Sequence, residues 1–212
     1  MEYVGGVKKE VGQPVEYKKY CLKVGNKYTN KHVYELADQV GDLIVITDDV
    51  TLGEDFTIIP VDDSLPTVWN KMRLFDTDQF PDEGIFFDLD IRILKDITDI
   101  FAPLEYMALL QTDWEDLKDL KEKTIGNLYG YCSINSSVMA WNKKTKRQHV
   151  WNQFQKDKSK ALRLFDGIDK YLEHRHFKNL SFFETGLVGS YRCNPNADVH
   201  IMSYDGEGKE WL

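Results

Sequence analysis

Two short apolar runs that stop on paired acids constrain this chain more than any other feature. Residues 43–47 (LIVIT) are almost wholly apolar and give way to Asp48 and Asp49, and residues 84–91 (GIFFDLDI) are apolar until Asp88 and Asp90 break their end. A strand with one wet face alternates polar and apolar residues, so a continuous apolar run marks a strand covered on both faces, as in a parallel sheet. Around these runs the periodicity switches between strand and helix. Residues 17–24 (YKKYCLKV) read as a strand ending at Gly25, and Asn30 is a candidate N-cap for a helix with Val33, Leu36, Ala37 and Val40 at helical spacing. Residues 67–75 (TVWNKMRLF) suit a helix presenting Val68, Met72 and Phe75 on one face. Residues 104–110 and 137–141 suggest further strands, residues 147–155 and 159–174 two helices, and residues 197–202 a closing strand before a Gly-rich tail. The sum is an α/β fold with a Rossmann-like mixed, mostly parallel sheet flanked by helices.

At 212 residues the chain fits one domain, 1–212, whose first 16 residues form either a loose N-terminal arm or a first short strand. With 27 basic and 35 acidic side chains the net charge is −8, which argues against a nucleic-acid polymer as partner, because phosphate contacts need a basic footprint. Cys21, Cys132 and Cys193 are scattered without metal or disulfide spacing, consistent with reduced thiols and a cytoplasmic location. No run approaches the ~18 apolar residues of a transmembrane segment.

Ligands of open α/β sheets bind beyond the carboxyl ends of the strands, so the acids ending the two buried runs are the first candidates for a site. A carboxylate there must be hydrated, paired or bound to a cation. On an extended segment Asp88 and Asp90, two apart, would point the same way and offer a divalent metal two hard oxygen donors, with room left for phosphate oxygens. The bland reading is a pair of strand-end caps or ion-pair partners.

The run WNKMRLF…EGIFFDLDI…DITDIF resembles the DxD-bearing segment of GT-A-type glycosyltransferases, through Trp69, Lys71, Leu74, Phe75, Asp88, Asp90, Asp96, Asp99 and Phe101. Further blocks follow in the same order. VGNKY (24–28) resembles the family's first strand end, ITDD (46–49) its second, INSSVMAWNK (134–143) its donor-sugar or acceptor block, and DGIDKYL (166–172) its Gly/Asp block near the reaction centre. VHIMSYDGEGKEW (199–211) resembles the closing pattern of glycogenin-like and related bacterial and viral transferases. The likeness runs from about Tyr17 to Trp211.

The resemblance implies a GT-A-like domain that moves a sugar from a nucleoside-diphosphate sugar, a UDP-sugar in the first instance, to a glycan, lipid or protein acceptor, with a homo-oligomer as an option for completing acceptor recognition. It implies Mn²⁺ or Mg²⁺ held by Asp88, Asp90 and Asp205. Donor contacts would come from Val24, Tyr28, Asp48, Asp49, Lys71, Asp88, Leu89, Gly206 and Lys209, with Tyr28 stacking on the base and Lys209 on the diphosphate. Asn135 and Asp169 would line the reaction centre. The closing motif departs from the family: its metal-binding His is Ser203 or Asp205 here, His200 is a weaker substitute, and Glu210 replaces a Pro.

Each residue also has a plainer reading. Tyr28 could only close a turn, Trp69 and Trp141 suit the core, and Asn135 suits a satisfied turn. Asp169 beside Lys170 fits a solvated ion-pair face, and His174 and His176 fit a basic helix end. Residues 113–123 (DWEDLKDLKEK) fit a solvated surface, and Cys132 fits packing. Three other functions compete: a haloacid-dehalogenase-type phosphatase with Asp88 as nucleophile, a sugar nucleotidyltransferase, and a non-catalytic nucleotide- or glycan-binding module. The first usually carries its motif near the chain start, whereas roughly 85 residues precede Asp88 here, and the Gly-rich signature expected of the second near the first strand is missing.

Overall fold

The structure, a computed structural model, describes residues 17–62, 64–97, 105–112 and 132–204. The proposed N-terminal arm, Asp99, Phe101, the acidic stretch 113–123, and Asp205, Gly206, Lys209, Glu210 and Trp211 of the closing motif lie outside the described residues.

The first half of the chain alternates strand and helix. Strand β1 is Lys18–Lys23, helix α1 Asn30–Val40, β2 Leu43–Thr47, β3 Thr57–Pro60 and β4 Gly84–Phe87. Val33, Leu36 and Val40, spaced three and four apart, bury one stripe of α1 against the sheet. The N-cap of α1 is Thr29, one residue before the expected Asn30; its N–H donates to His32 Nδ1 at 3.1 Å. Two 3₁₀ helices, Val50–Glu54 and Thr67–Phe75, flank β3. The second half adds β5 (Ile91–Ile93), β6 (Met107–Gln111), β7 (Ile134–Trp141), helices α2 (Gln148–Leu164) and α3 (Ile168–His176), and the short strands β8 (Leu180–Phe182), β9 (Val188–Ser190) and β10 (Ile201–Ser203).

Seven strands form one sheet in the order β3-β2-β1-β4-β7-β6-β8, and three form a second in the order β5-β10-β9. In the large sheet β7 runs antiparallel to both neighbours and the other pairs are parallel. The mixed, mostly parallel sheet flanked by helices is thus as expected. Register rows explain the apolar runs. Val45, Cys21, Phe87 and Val138 align across four strands on one face, while Ile44, Tyr20, Phe86 and Met139 align on the other. The first row joins a core with α1 and the small sheet, including Leu36, Ile91, Val188 and Ile201. The second joins a core with the Thr67–Phe75 helix, α2 and α3, including Trp69, Met72, Phe154 and Tyr171. Both faces are covered, so β1, β2 and β4 have no wet side to alternate toward.

Three expectations change. Residues 67–75 wind as a 3₁₀ helix whose three-residue turn displaces Val68 to the surface and buries Trp69, Met72, Leu74 and Phe75. The two expected helices divide elsewhere: α2 runs unbroken to Leu164, and the break falls at Phe165–Gly167. Finally, β4 ends at Phe87, and Asp88–Asp90 forms the turn that carries the chain from the large sheet into the small one. Strand alternation therefore does not govern where the two carboxylates point.

One close approach depends on glycine. A Cβ on Gly84 would lie 2.3 Å from the Trp141 ring, so only a residue without one lets that indole cross β4. Trp141 is fully buried, stacked on Tyr20 at 5.4 Å, with its Nε1–H donated to the Asp82 carbonyl at 2.7 Å.

Candidate active site

The carboxyl ends of β1, β2 and β4 open toward the same edge of the sheet, and the candidate residues cluster there. Leaving β1, the chain turns at Gly25, whose φ of +69° belongs to the left-handed region, and the Gly25 N–H donates to Asp48 Oδ2 at 2.9 Å. Val24 packs against the core beside it. Asp49 caps the Val50–Glu54 helix, accepting from Thr51 N–H at 3.1 Å and from Thr51 Oγ1–H at 2.6 Å. Lys23 reaches its other oxygen at 3.2 Å. The Thr51 hydrogen bonds and Lys23 hold the Asp49 carboxyl down at about 2. Asp49 thus serves the local fold, and Asp48 fixes the turn after β1.

The DxD turn sends its two carboxylates to different partners. Lys71 Nζ lies 2.7 and 2.8 Å from the two oxygens of Asp88, whose backbone N–H is fixed by the Ser137 carbonyl at 2.8 Å. Asp90, only 6% exposed, accepts from the Tyr28 hydroxyl at 2.6 Å. Leu89 between them is buried in the core shared with the small sheet. The hydroxyl of Tyr28 is therefore bound to Asp90, while its ring meets His32 edge-on at 5.3 Å and carries Lys27 Nζ 4.8 Å from its centroid.

Lys71 links this turn to β7 and α3. Its ammonium also donates to the carbonyl and Oγ of Ser136, each at 3.3 Å. Ser136, absent from the sequence-derived candidates, in turn hydrogen-bonds Asp169 through its backbone and side chain. Lys71, Asp88, Ser136 and Asp169 thus form one polar network, in which Lys71 and Ser136 are buried, Asp88 and Asp169 are half-buried, and Lys71 faces both carboxylates. Asp169 lies in the first turn of α3, where the helix dipole favours an anion. It is not on a solvated ion-pair face: Lys170 pairs with Asp166 at 2.8 Å instead. Asp169 Oδ1 is buried and has no hydrogen-bond partner.

Burial raises the Asp88 carboxyl to about 6; Lys71 pulls it down, and Asp90 and Asp169 push it up. Burial also raises Asp169, opposed by Lys71 and by the Ser136 hydrogen bonds. Two carboxylates that resist ionising around a single lysine favour any added positive charge. Asn135 sits one residue from this network, but its Oδ1 accepts the Ser137 N–H at 2.7 Å, a local bond that shapes the start of β7. Glu173, one turn beyond Asp169, accepts the Ser133 N–H at 2.7 Å and its hydroxyl, a contact that the sequence pattern did not single out.

The Thr67–Phe75 helix that presents Lys71 is held from three sides. Trp69 stacks on Phe154 of α2 at 5.5 Å and 10°, and Asn70 Nδ2 donates to the Leu65 carbonyl at 3.2 Å. The buried Arg147 guanidinium donates to the carbonyls of Leu74 and Phe80 and packs on Trp141. A cavity of about 590 Å³, lined by Lys18, Lys19, Asp42, Asp55 and Phe56 among others, lies at the amino ends of β1–β3, the edge opposite these carboxylates.

Among the described residues no cluster of three or more His, Cys, Asp or Glu is assembled, and no helix is long and apolar enough to cross a membrane. The donors present at the turn are the Asp88 and Asp90 carboxylates, whose hard oxygens suit a cation that keeps waters and shares a substrate's phosphates.

By sequence the chain matches no family model and no curated protein. By structure it is similar to several glycosyltransferases. The glycosyltransferase GlyE of Streptococcus pneumoniae TIGR4 aligns over 93% of this chain with a TM-score of 0.59 and 12% identity; the chain spans 57% of GlyE's length. The galactosyltransferase LgtC, solved with donor and acceptor sugar analogs, aligns over 92% of this chain and 89% of its own, with a TM-score of 0.59 and 12% identity. A glycosyltransferase involved in glycosylation of the major capsid of PBCV-1 aligns over 90% of this chain and 95% of its own, with a TM-score of 0.54 and 10% identity. At such identities the likeness is one of fold, and the fold is GT-A.

Proposed function

We propose that this chain is a glycosyltransferase that takes a sugar from a nucleoside-diphosphate sugar at the carboxyl edge of its large sheet. The observation that carries the proposal is the Lys71–Asp88–Ser136–Asp169 network beside Asp90, built around the buried Lys71, on a fold shared with glycosyltransferases. Asp88 and Asp90 would hold Mn²⁺ or Mg²⁺, which, when bound, would neutralise the diphosphate leaving group.

The chain's own groups then have distinct tasks. Lys71, fixed by Asp88 and Ser136, keeps a positive charge within that network, where a preorganised cation stabilises developing negative charge better than water does. Asp169 Oδ1 is a buried acceptor suited to a sugar hydroxyl, and binding one would satisfy its open hydrogen-bonding position. Tyr28 keeps Asp90 oriented while offering its ring to the base. Lys209 and Gly206, outside the described residues, would complete the diphosphate contacts, and Asp205 would add a third metal ligand. The donor base, with uridine favoured, and a cytoplasmic setting belong to the same proposal.

A panel of sugar nucleotides incubated with the protein and Mn²⁺ tests this. Slow release of nucleoside diphosphate from one donor, lost in Lys71→Met and Asp169→Asn, is the expected result. Turnover of a generic phosphomonoester that disappears in Asp88→Asn, with every sugar nucleotide untouched, would overturn it in favour of a phosphatase.

A further inference from the structure

Two tyrosines beyond the network stand next to the DxD turn. Tyr191 and Tyr204 each follow the last residue of neighbouring parallel strands, Ser190 of β9 and Ser203 of β10, which are register partners. That register places the two rings side by side, stacked with centroids 4.6 Å apart and planes 25° from parallel. Tyr191 N–H is fixed by the Ser203 carbonyl at 2.8 Å, and Tyr204 N–H by the Asp90 carbonyl at 2.8 Å. The pair is therefore tied through the backbone to one of the two candidate metal-binding carboxylates. Tyr204 is half-buried, whereas Tyr191 remains 42% exposed.

We propose that Tyr191, backed by Tyr204, is a stacking platform for a pyranose ring of a carbohydrate acceptor. The inference rests on the glycosyltransferase reading for its word "acceptor", but the binding surface is argued independently. An exposed aromatic face that is already rigidified by a second ring offers flat apolar area at little entropic cost. A pyranose presents a matching patch of C–H groups rimmed by hydroxyls. The turn that follows Tyr191 supplies groups for that rim: Asn194 and Asn196 are exposed, and their amides both donate and accept. The turn is held by bonds from Cys193 N–H and Asn194 N–H to the Ser190 carbonyl, at 3.2 and 2.9 Å. The Tyr204 N–H bond to the Asp90 carbonyl joins the platform to the DxD turn, which suits an acceptor delivered to the donor.

Saturation-transfer-difference NMR with methyl glycosides of glucose, galactose, mannose and N-acetylglucosamine tests the platform without nucleotide or metal. The expected result is transfer to the ring C–H protons of at least one glycoside. It should fall about tenfold in Tyr191→Ala, persist in Tyr191→Phe, and persist in Tyr34→Ala, where another exposed tyrosine is removed. Near- and far-ultraviolet circular dichroism of the variants confirms that they are folded. Absence of transfer in the wild type, or equal transfer in Tyr191→Ala, would overturn the proposal. Calorimetry of UDP with the same protein keeps the two readings apart. Sugar binding without UDP binding refutes the donor reading and retains the platform; UDP binding without sugar binding does the reverse.

Discussion

Lys71 Nζ lies 2.7 and 2.8 Å from the two carboxylate oxygens of Asp88, and it is the cation that the same network offers to Asp169. Removing it leaves two half-buried carboxylates facing each other. Breaking a fully buried pair from one side costs about 3 kcal/mol or more, because the surviving charge is stranded, and the 23% exposure of the Asp88 side chain brings that down to about 2 kcal/mol here. Lys71→Met should therefore lose about that much stability in urea denaturation. Lys71→Met/Asp88→Asn should recover part of it. A double variant as unstable as the sum of its singles would show that the pair is not coupled.

Tyr28 contributes through two separable parts, a hydroxyl on Asp90 and a ring. Tyr28→Phe removes only a 2.6 Å bond to a buried carboxylate and should destabilise by about 2 kcal/mol, typical of a hydrogen bond to a charged group. Nucleotide affinity should change little in Tyr28→Phe and fall clearly in Tyr28→Ala, measured by calorimetry. Equal affinity in both variants would remove the ring from the donor site.

The sequence showed β1, β2, β4 and α1 because each is long enough to display its pattern and the sheet is covered on both faces. The three-residue strands β5, β8 and β9 escaped detection, since no period can be seen in three residues, and β10 was met only by the end of the expected closing strand; their pairing is decided by distant partners such as Ser190 with Ser203. Acids at strand ends pointed to the candidate site. Yet their orientation could not be read, because Asp88–Asp90 leaves the strand and each carboxylate takes its partner from another segment: Lys71 for one, Tyr28 for the other. Ser136 went unnoticed for the same reason. It becomes informative only when folding sets it between Lys71 and Asp169.

Gly84 should tolerate no side chain. Alanine there would drive its Cβ into the Trp141 ring, which cannot retreat because its other contacts are Tyr20, Phe80 and the Asp82 carbonyl. Overpacking of this kind costs about 3 kcal/mol. Thermal unfolding of Gly84→Ala should show a clearly lowered midpoint; an unchanged one would mean that the indole does not cross β4.

Stability should fall in mild acid, in part through His176. Burial lowers its imidazole from 6.5 to about 4, with His149 and Arg175 adding to the effect. The folded state thus prefers the neutral ring, and the unfolded chain binds the proton first as pH falls. The linked stability is fully present above about pH 6.5 and is lost progressively as pH drops toward 4. Chemical denaturation at pH 7 and pH 4.5 should show a smaller drop for His176→Gln than for wild type. Identical drops would exclude His176 as a contributor.

The central claim is that Asp88 and Asp90 form a cation-assisted nucleotide site. Isothermal titration of UDP into the protein, with and without Mn²⁺, tests it most directly when repeated on Asp90→Asn. The account predicts binding that Mn²⁺ strengthens at least about tenfold in the wild type, a gain of about 1.4 kcal/mol, and little or no such gain in the variant. UDP binding indifferent to Mn²⁺ in the wild type, or equally enhanced in Asp90→Asn, would contradict it.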